Sequence, residues 1–155
     1  MKLGKIALVL AAALTGAAAI GGVVLLAGAP AVAAPTVEVW KSRSCGCCAG
    51  WITHMQTAGF TVKVHETESL EPIKSANGVP KALESCHTSR VDGYVIEGHV
   101  PANDIKRLLA ERPHARGLAA PGMPQDAPGM DMKTGKPYDV VLFSETGHPT
   151  LYARH

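Results

Sequence analysis

Three of the four cysteines fall in one turn, Cys45-Gly46-Cys47-Cys48. It lies between a run that alternates like a β-strand, Thr36-Val37-Glu38-Val39-Trp40, and a run with helical spacing, Trp51-Ile52-Thr53-His54-Met55. Cys48, Ile52 and Met55 make the predicted stripe of that helix, and Gly59 stops it. The thiols therefore sit at or just before a helix N-terminus, where unpaired N–H groups and the helix dipole favour thiolate. Thiolate attacks disulfides, and thiolate binds soft metals. The turn implies one of those two chemistries. A purely structural reading, with two stapling disulfides, fits poorly: a bond between adjacent Cys47 and Cys48 would be strained, and bridges inside the turn close only tiny loops.

The ends of the chain bound where this chemistry takes place. Lys2 and Lys5 open the chain, and Ile6 to Ala29 carries no charge. Ala31-Val32-Ala33 puts small residues at the −3 and −1 positions of a cleavage site, which predicts a signal peptide over 1–33. An uncleaved anchor is the alternative, because the apolar run exceeds the roughly 20 residues that span a bilayer. Either way the domain is exported, with a bacterial periplasm as the expected place, and membrane contact is expected only through an uncleaved N-terminus. Without Lys2 and Lys5 the basic side chains fall to 13, matching 13 acidic ones. No basic patch is interleaved with aromatics, which argues against nucleic-acid binding. The remaining residues, about 120, suit one small domain.

Along that domain, Phe60 to His65 alternates as a second strand, and Ser69 is placed to cap a helix whose first turn holds Pro72. Asn77-Gly78 breaks the helix, Val79-Pro80 leads into a third strand, and Val91 to His99 reads as a turn, a short strand and a turn. Pro101 to Asp104 opens a helix with Ile105, Leu108 and Leu109 on its apolar face, ended by Pro113. From Gly117 to Gly135 the chain is rich in Gly, Pro and Met without periodicity and reads as a loop. Tyr138 to Phe143 and Thr150 to Ala153 are predicted to form a hairpin. Strands alternating with helices predict an α/β fold, a mixed sheet packed by helices. The expected division is a domain over 34–112 and a C-terminal extension over 113–155 that packs on it.

This β-α-β-α-β-β-α order, with Cys-x-x-Cys after the first strand, resembles the thioredoxin fold. That resemblance implies an exposed thiolate at Cys45, a buried resolving partner at Cys48, and a cis-proline at Pro80 beside the pair. A narrower resemblance is carried by Cys-Gly-Cys-Cys-x-x-Trp, Gly78-Val79-Pro80, Ser85-Cys86-His87-Thr88, the run Gly93 to Ala102, and Pro121-Gly122-Met123-Pro124. Over about Val37 to Tyr152 the chain is similar to domain-of-unknown-function family 411, exported bacterial proteins with thioredoxin-like folds. The resemblance implies metal handling connected with copper resistance. One run departs from the family pattern: Gln125-Asp126-Ala127-Pro128-Gly129-Met130 stands where Gly-Ser-Pro-Gly-Met is typical, with the methionine kept.

The residues point the same way. Cys45, Cys47, Cys48 and Cys86 are the candidate ligands, with His87 next to Cys86 and with Met123 and Met130 in the loop. Soft thiolate and thioether donors select Cu(I). Zn(II) is the alternative, needing four tetrahedral donors such as Cys45, Cys47 or Cys48, Cys86 and His87. Tyr94 and Trp51 read as core or shielding, His99 as a residue beside the helix start or one that orients a ligand, and His54 as solvated. We therefore expect a periplasmic Cu(I)-binding or chaperoning protein. Its partners would be the metal ion, other periplasmic copper proteins or a copper-exporting pump. A thiol-disulfide oxidoreductase working through Cys45 and Cys48 is the competing expectation. The extra cysteines separate the two, since a dithiol enzyme needs only two thiols and a soft-metal site gains from four.

Overall fold

The computed structural model describes residues 34–155; the signal peptide expected over 1–33 lies outside the described residues. Along the chain come β1 (Thr36–Ser42), α1 (Gly46–Thr57), β2 (Thr61–Thr67), α2 (Glu71–Ala76) and a 3₁₀ turn (Lys81–Leu83). They are followed by β3 (His87–Val91), β4 (Tyr94–Glu97), α3 (Ala102–Glu111), β5 (Gly117–Ala119), β6 (Asp139–Phe143) and β7 (Thr150–Arg154). The strands form one mixed sheet in the order β2-β1-β3-β4-β5-β6-β7. The parallel pairs, β1 with β2 and β4 with β5, are those whose connections contain a helix, because a parallel return needs a long crossover. The antiparallel pair β3 and β4 is closed by Asp92-Gly93, both at positive φ, the two-residue turn that matches strand twist.

Side-chain alternation splits the core in two. Tyr94 and Ile96 of β4 join Val37, Val39, Trp51, Met55, Ile105, Leu108 and Leu118 in the larger cluster, so α1 and α3 pack on one face. Val95 points the other way, with Val79, Leu83, Ala119 and Phe143, where the 3₁₀ segment supplies the cover. The buried stripe of α1 is Cys48, Trp51 and Met55, rather than the predicted Cys48, Ile52 and Met55. Ile52 is only partly buried, and the Trp51 ring is fully buried, its Nε1–H donating to the Val100 carbonyl at 2.8 Å.

Three local expectations are corrected. Gly117 to Ala119 is a strand, not the start of a loop. At three residues it is too short to show periodicity, and it passes so close to β4 that a Cβ at Gly117 would overlap the Val95 carbonyl. Ser69 does not cap α2: Leu70 holds that position without a side-chain bond, while the Ser69 carbonyl and N–H are both engaged by the Thr67 hydroxyl. No cis peptide bond occurs among the described residues, so Val79-Pro80 is trans, and it leads into the 3₁₀ turn before β3 begins at His87.

Candidate metal centre

The centre is assembled where β1 ends and β3 begins. Lys41 of β1 pairs with His87 of β3, so the residue that follows in β1, Ser42, lies level with Cys86. The Cys45 N–H donates to the Ser42 carbonyl at 3.1 Å, and this turns the chain over that end of the sheet and into α1. Cys45 is the N-cap of α1, its Sγ accepting from the Cys48 N–H at 3.3 Å. A sulfur thus occupies the place usually taken by a Ser or Asp oxygen, facing the donor end of the helix.

Cys45 and Cys48 are joined by a disulfide, whereas Cys47 and Cys86 are free and part-buried. The Cys45 and Cys47 sulfurs are 3.5 Å apart. All four sulfurs, of Cys45, Cys47, Cys48 and Cys86, lie within 4.8 Å of one another. A second group of the same compactness shares two of them: Cys48, Cys86, His87 and His99. Cys86 is common to both.

The histidines approach from the sheet side. His99 Nδ1 lies 2.7 Å from the Pro128 carbonyl, which accepts only, so Nδ1 carries the proton. That leaves the Nε2 lone pair facing Cys86 Sγ at 2.8 Å. Such a carbonyl clamp on the far nitrogen sets the tautomer and ring orientation of metal-binding histidines. His87 is fully buried, its Nδ1 is 3.6 Å from Cys86 Sγ, and its Nε2 has no hydrogen-bond partner. A buried ring nitrogen without a partner is the kind of orphan that a bound ion satisfies. Trp51 closes the apolar side, its ring centroid 4.5 Å from that of His87.

Burial tunes these groups. It pushes the Cys86 thiol up to about 12, nearby Cys47 adding to the effect, so the metal-free thiol is protonated. Burial drives His87 well below its ordinary value and lowers His99, the Pro128 carbonyl bond opposing part of the shift. The centre is therefore a neutral set of protonated thiol and unprotonated imidazoles, and a soft cation binding there displaces the thiol proton.

A buried polar network holds Cys86 in place. Glu97 is fully buried, and its Oε1 accepts from the Ser85 N–H at 2.7 Å and from Lys74 Nζ. Its Oε2 accepts from the Thr88 hydroxyl at 2.7 Å. The residue before Cys86 is thereby tied to β4, and burial still raises the Glu97 carboxyl despite the lysine. On the other side, Pro128-Gly129 crosses α1 so closely that a Cβ on Gly129 would overlap the Trp51 amide and lie 2.7 Å from the Cys47 carbonyl. Only glycine, here at φ +85°, permits that approach.

Among the sequence-predicted ligands, the structure brings Cys45, Cys47, Cys48 and Cys86 into one group and sets His87 beside Cys48 and Cys86 in the other. Met123 is 60% exposed and borders a shallow depression with Glu84, Ser85, Cys86 and Gly122. Met130 lies on the loop just after Gly129, and neither methionine is in the cysteine–histidine groups. His99, read as flanking the helix start or orienting a ligand, is in direct reach of Cys86. Glu97, Lys74 and Pro128 carry no local sequence signal that assigns them to the site. His54, read as solvated, is half-buried, and its Nε2 accepts from the Ala102 N–H at 3.0 Å, capping α3. Burial lowers its pKa.

The three lowered histidines set a pH dependence. The unfolded chain takes up their protons near the ordinary value of about 6.5, while the folded protein resists until lower pH. Protons then favour the unfolded state, so stability is full above about pH 6.5 and declines as the pH falls below it and through the folded values. Urea titrations of the metal-free protein should give a lower midpoint at pH 5 than at pH 7.5. An equal or higher midpoint at pH 5 would contradict the neutral assignment of these rings.

Residues 83–130, which hold Cys86, His87, His99 and the Pro128-Gly129 crossing, match the family described as protein of unknown function, DUF411. Two solved structures are similar over nearly their whole length. The first, copper resistance protein CopG in form 1, is 40% identical, with 77% of this chain and 96% of that chain covered and a TM-score of 0.73. The chain belongs to the DUF411 family. The second, copper resistance protein CopG in form 2, is 39% identical, covers 79% of this chain and 98% of that chain, and has a TM-score of 0.74. No curated protein matches the sequence. This DUF411 member thus carries a cysteine cluster and is similar in structure to copper resistance proteins.

Proposed function

We propose that this DUF411 protein binds Cu(I) in the bacterial periplasm, for copper homeostasis or resistance, through Cys45, Cys47, Cys48 and Cys86. The observation that carries the reading is the convergence of four sulfurs within 4.8 Å, with two imidazoles against the same Cys86. A cluster so rich in thiolate suits a soft monovalent ion, and His87 and His99 complete the coordination from the buried side. The exposed Met123 thioether and Met130 are placed in this reading as helpers at the outer edge. Zn(II) is the competing ion, for which Cys48, Cys86, His87 and His99 offer four donors. Copper is favoured by the copper resistance proteins among the similar structures.

In this reading the scaffold is thioredoxin-like over 34–112, supported by the β2-β1-β3-β4 order and by the cysteine turn at the start of α1. The extension over 113–155 supplies β5, β6 and β7 and the Pro128 carbonyl that orients His99. The partners would be other periplasmic copper proteins or a copper-exporting pump. Metal loading requires the Cys45–Cys48 disulfide to be reduced first, since a disulfide sulfur is not a thiolate donor.

The test is an anaerobic Cu(I) titration of the reduced protein against a chromophoric competitor, beside the double variant Cys45→Ser/Cys48→Ser. Tight binding lost in the variant is expected, together with loss of binding in oxidised wild-type protein. Equal uptake by oxidised and reduced forms would remove the thiolate assignment. The second reading, a thiol-disulfide oxidoreductase, is favoured by one observation: the bonded Cys45–Cys48 pair at the helix N-terminus, with Cys48 fully buried and Cys45 part-exposed. Absence of Cu(I) binding by reduced protein would move the assignment there.

A further inference from the structure

The disulfide leaves two thiols behind. Cys47 and Cys86 are both free, both reach the surface in part, and their sulfurs lie within 4.8 Å of each other. With Cys45 bonded to Cys48, the four-cysteine chain offers Cys47 no other thiol partner than Cys86. Pairing with the adjacent Cys48 would be strained, and pairing with Cys45 would close a minimal ring. Cys86 comes from a distant part of the chain, held by the Glu97 network just before β3, so its approach to Cys47 is a property of the fold and not of the turn. A bond would bring these sulfurs from within 4.8 Å to about 2.05 Å.

We propose that Cys47 and Cys86 form a second redox-active pair, so that the cluster exchanges four electrons with low-molecular-weight disulfides, two at each pair. Cys47, in the first turn of α1, is the attacking sulfur, and Cys86, turned toward His99 Nε2 at 2.8 Å, is the resolving one. It attacks one sulfur of glutathione disulfide, the S–S bond breaks, and one glutathione leaves as thiolate while the other stays on Cys47. Cys86 then attacks Cys47 Sγ, forming the Cys47–Cys86 bond and expelling the second glutathione thiolate. The two departing thiolates take up the two protons lost by Cys47 and Cys86. Two protein thiols and one glutathione disulfide thus become one protein disulfide and two glutathiones. This goes beyond the metal reading, and it means that the fully oxidised protein presents no thiolate to any ion.

The experiment equilibrates the purified protein, metal-free, in a series of glutathione redox buffers, quenches with acid, alkylates free thiols and counts them by mass spectrometry. The count is expected to fall from four to two to zero, and digestion of the last species should yield a Cys47–Cys86 linked peptide. In the variant Cys47→Ser, Cys86 should stay alkylatable across the whole series. Three outcomes would overturn the proposal: wild-type protein halting at two alkylatable thiols on Cys47 and Cys86, glutathione persisting on Cys47, or Cys86 being consumed in the variant. The Cu(I) titration of fully reduced protein is unaffected by any of these, so the two readings fail separately.

Discussion

Cys86→Ser is expected to weaken Cu(I) binding by more than about 100-fold, beyond the 10- to 100-fold typical of losing an outer-shell partner of a metal site. Cys86 belongs to both donor groups and is the sulfur that His99 Nε2 and His87 Nδ1 face at 2.8 and 3.6 Å. Serine keeps the size but replaces a soft thiolate with a hard hydroxyl that stays protonated, which Cu(I) does not favour. The substitution also removes the only cysteine outside the Cys45–Cys48 turn, which leaves Cys48 as the single sulfur grouped with the histidines. His99→Ala, which keeps every sulfur, is expected to cost less than Cys86→Ser. Competitor titrations of the two reduced variants give the ranking. An affinity within about threefold of wild type for Cys86→Ser would show that the ion sits on the turn alone.

The second large effect concerns stability. Lys74→Met should destabilise the protein by about 3–5 kcal/mol, the range for removing one partner of a buried ion pair. Lys74 is 5% exposed and Glu97 is fully buried, so methionine fills the stem's volume but leaves a carboxylate without its cation. Burial already raises the Glu97 pKa, and without the lysine the carboxyl takes up a proton more readily, which limits the loss at low pH. A domain of this size has about 5–15 kcal/mol in hand, so the single variant approaches the threshold of folding. Lys74→Met/Glu97→Gln should recover most of the loss, because the amide keeps an acceptor for the Ser85 N–H without a buried charge. Urea denaturation at pH 7.5 measures both variants. A single variant within about 1 kcal/mol of wild type, or a double variant no more stable than the single, would refute the account.

The strand register shows how near the sequence came to the complete site. Asp92-Gly93 reads as a turn from sequence, and a two-residue turn dictates which residues of β3 and β4 face each other. Thr88 pairs with Glu97, the Gly98 N–H donates to the His87 carbonyl, and one step further Cys86 meets His99. The contact is therefore implicit in the turn, although the sequence reading places His99 beside the site and not against Cys86, 13 residues away. Glu97 and Lys74 carried no such signal. They are 23 positions apart, and a lysine in a short helix and a glutamate before glycine both read as surface residues until packing buries them together.

The cysteine turn is a local feature. Strand alternation before it, helical spacing after it and the sulfur at the N-cap are consequences of neighbouring residues, so the sequence by itself determined that thiols would gather at the start of α1. It also determined the alternation of strands and helices that makes a mixed α/β sheet, and the hairpin turn at Asp92-Gly93. Whether Cys86 would join the turn depended on the antiparallel pairing of β1 with β3, which closes a gap of 38 residues between Cys48 and Cys86. The short strand β5, the passage of Gly129 over α1 and the carbonyl clamp of Pro128 on His99 were likewise decided only by the tertiary structure. Each depends on backbones meeting from distant parts of the chain, where the deciding quantities are the space between elements and the partners left for buried polar atoms, and local periodicity encodes neither.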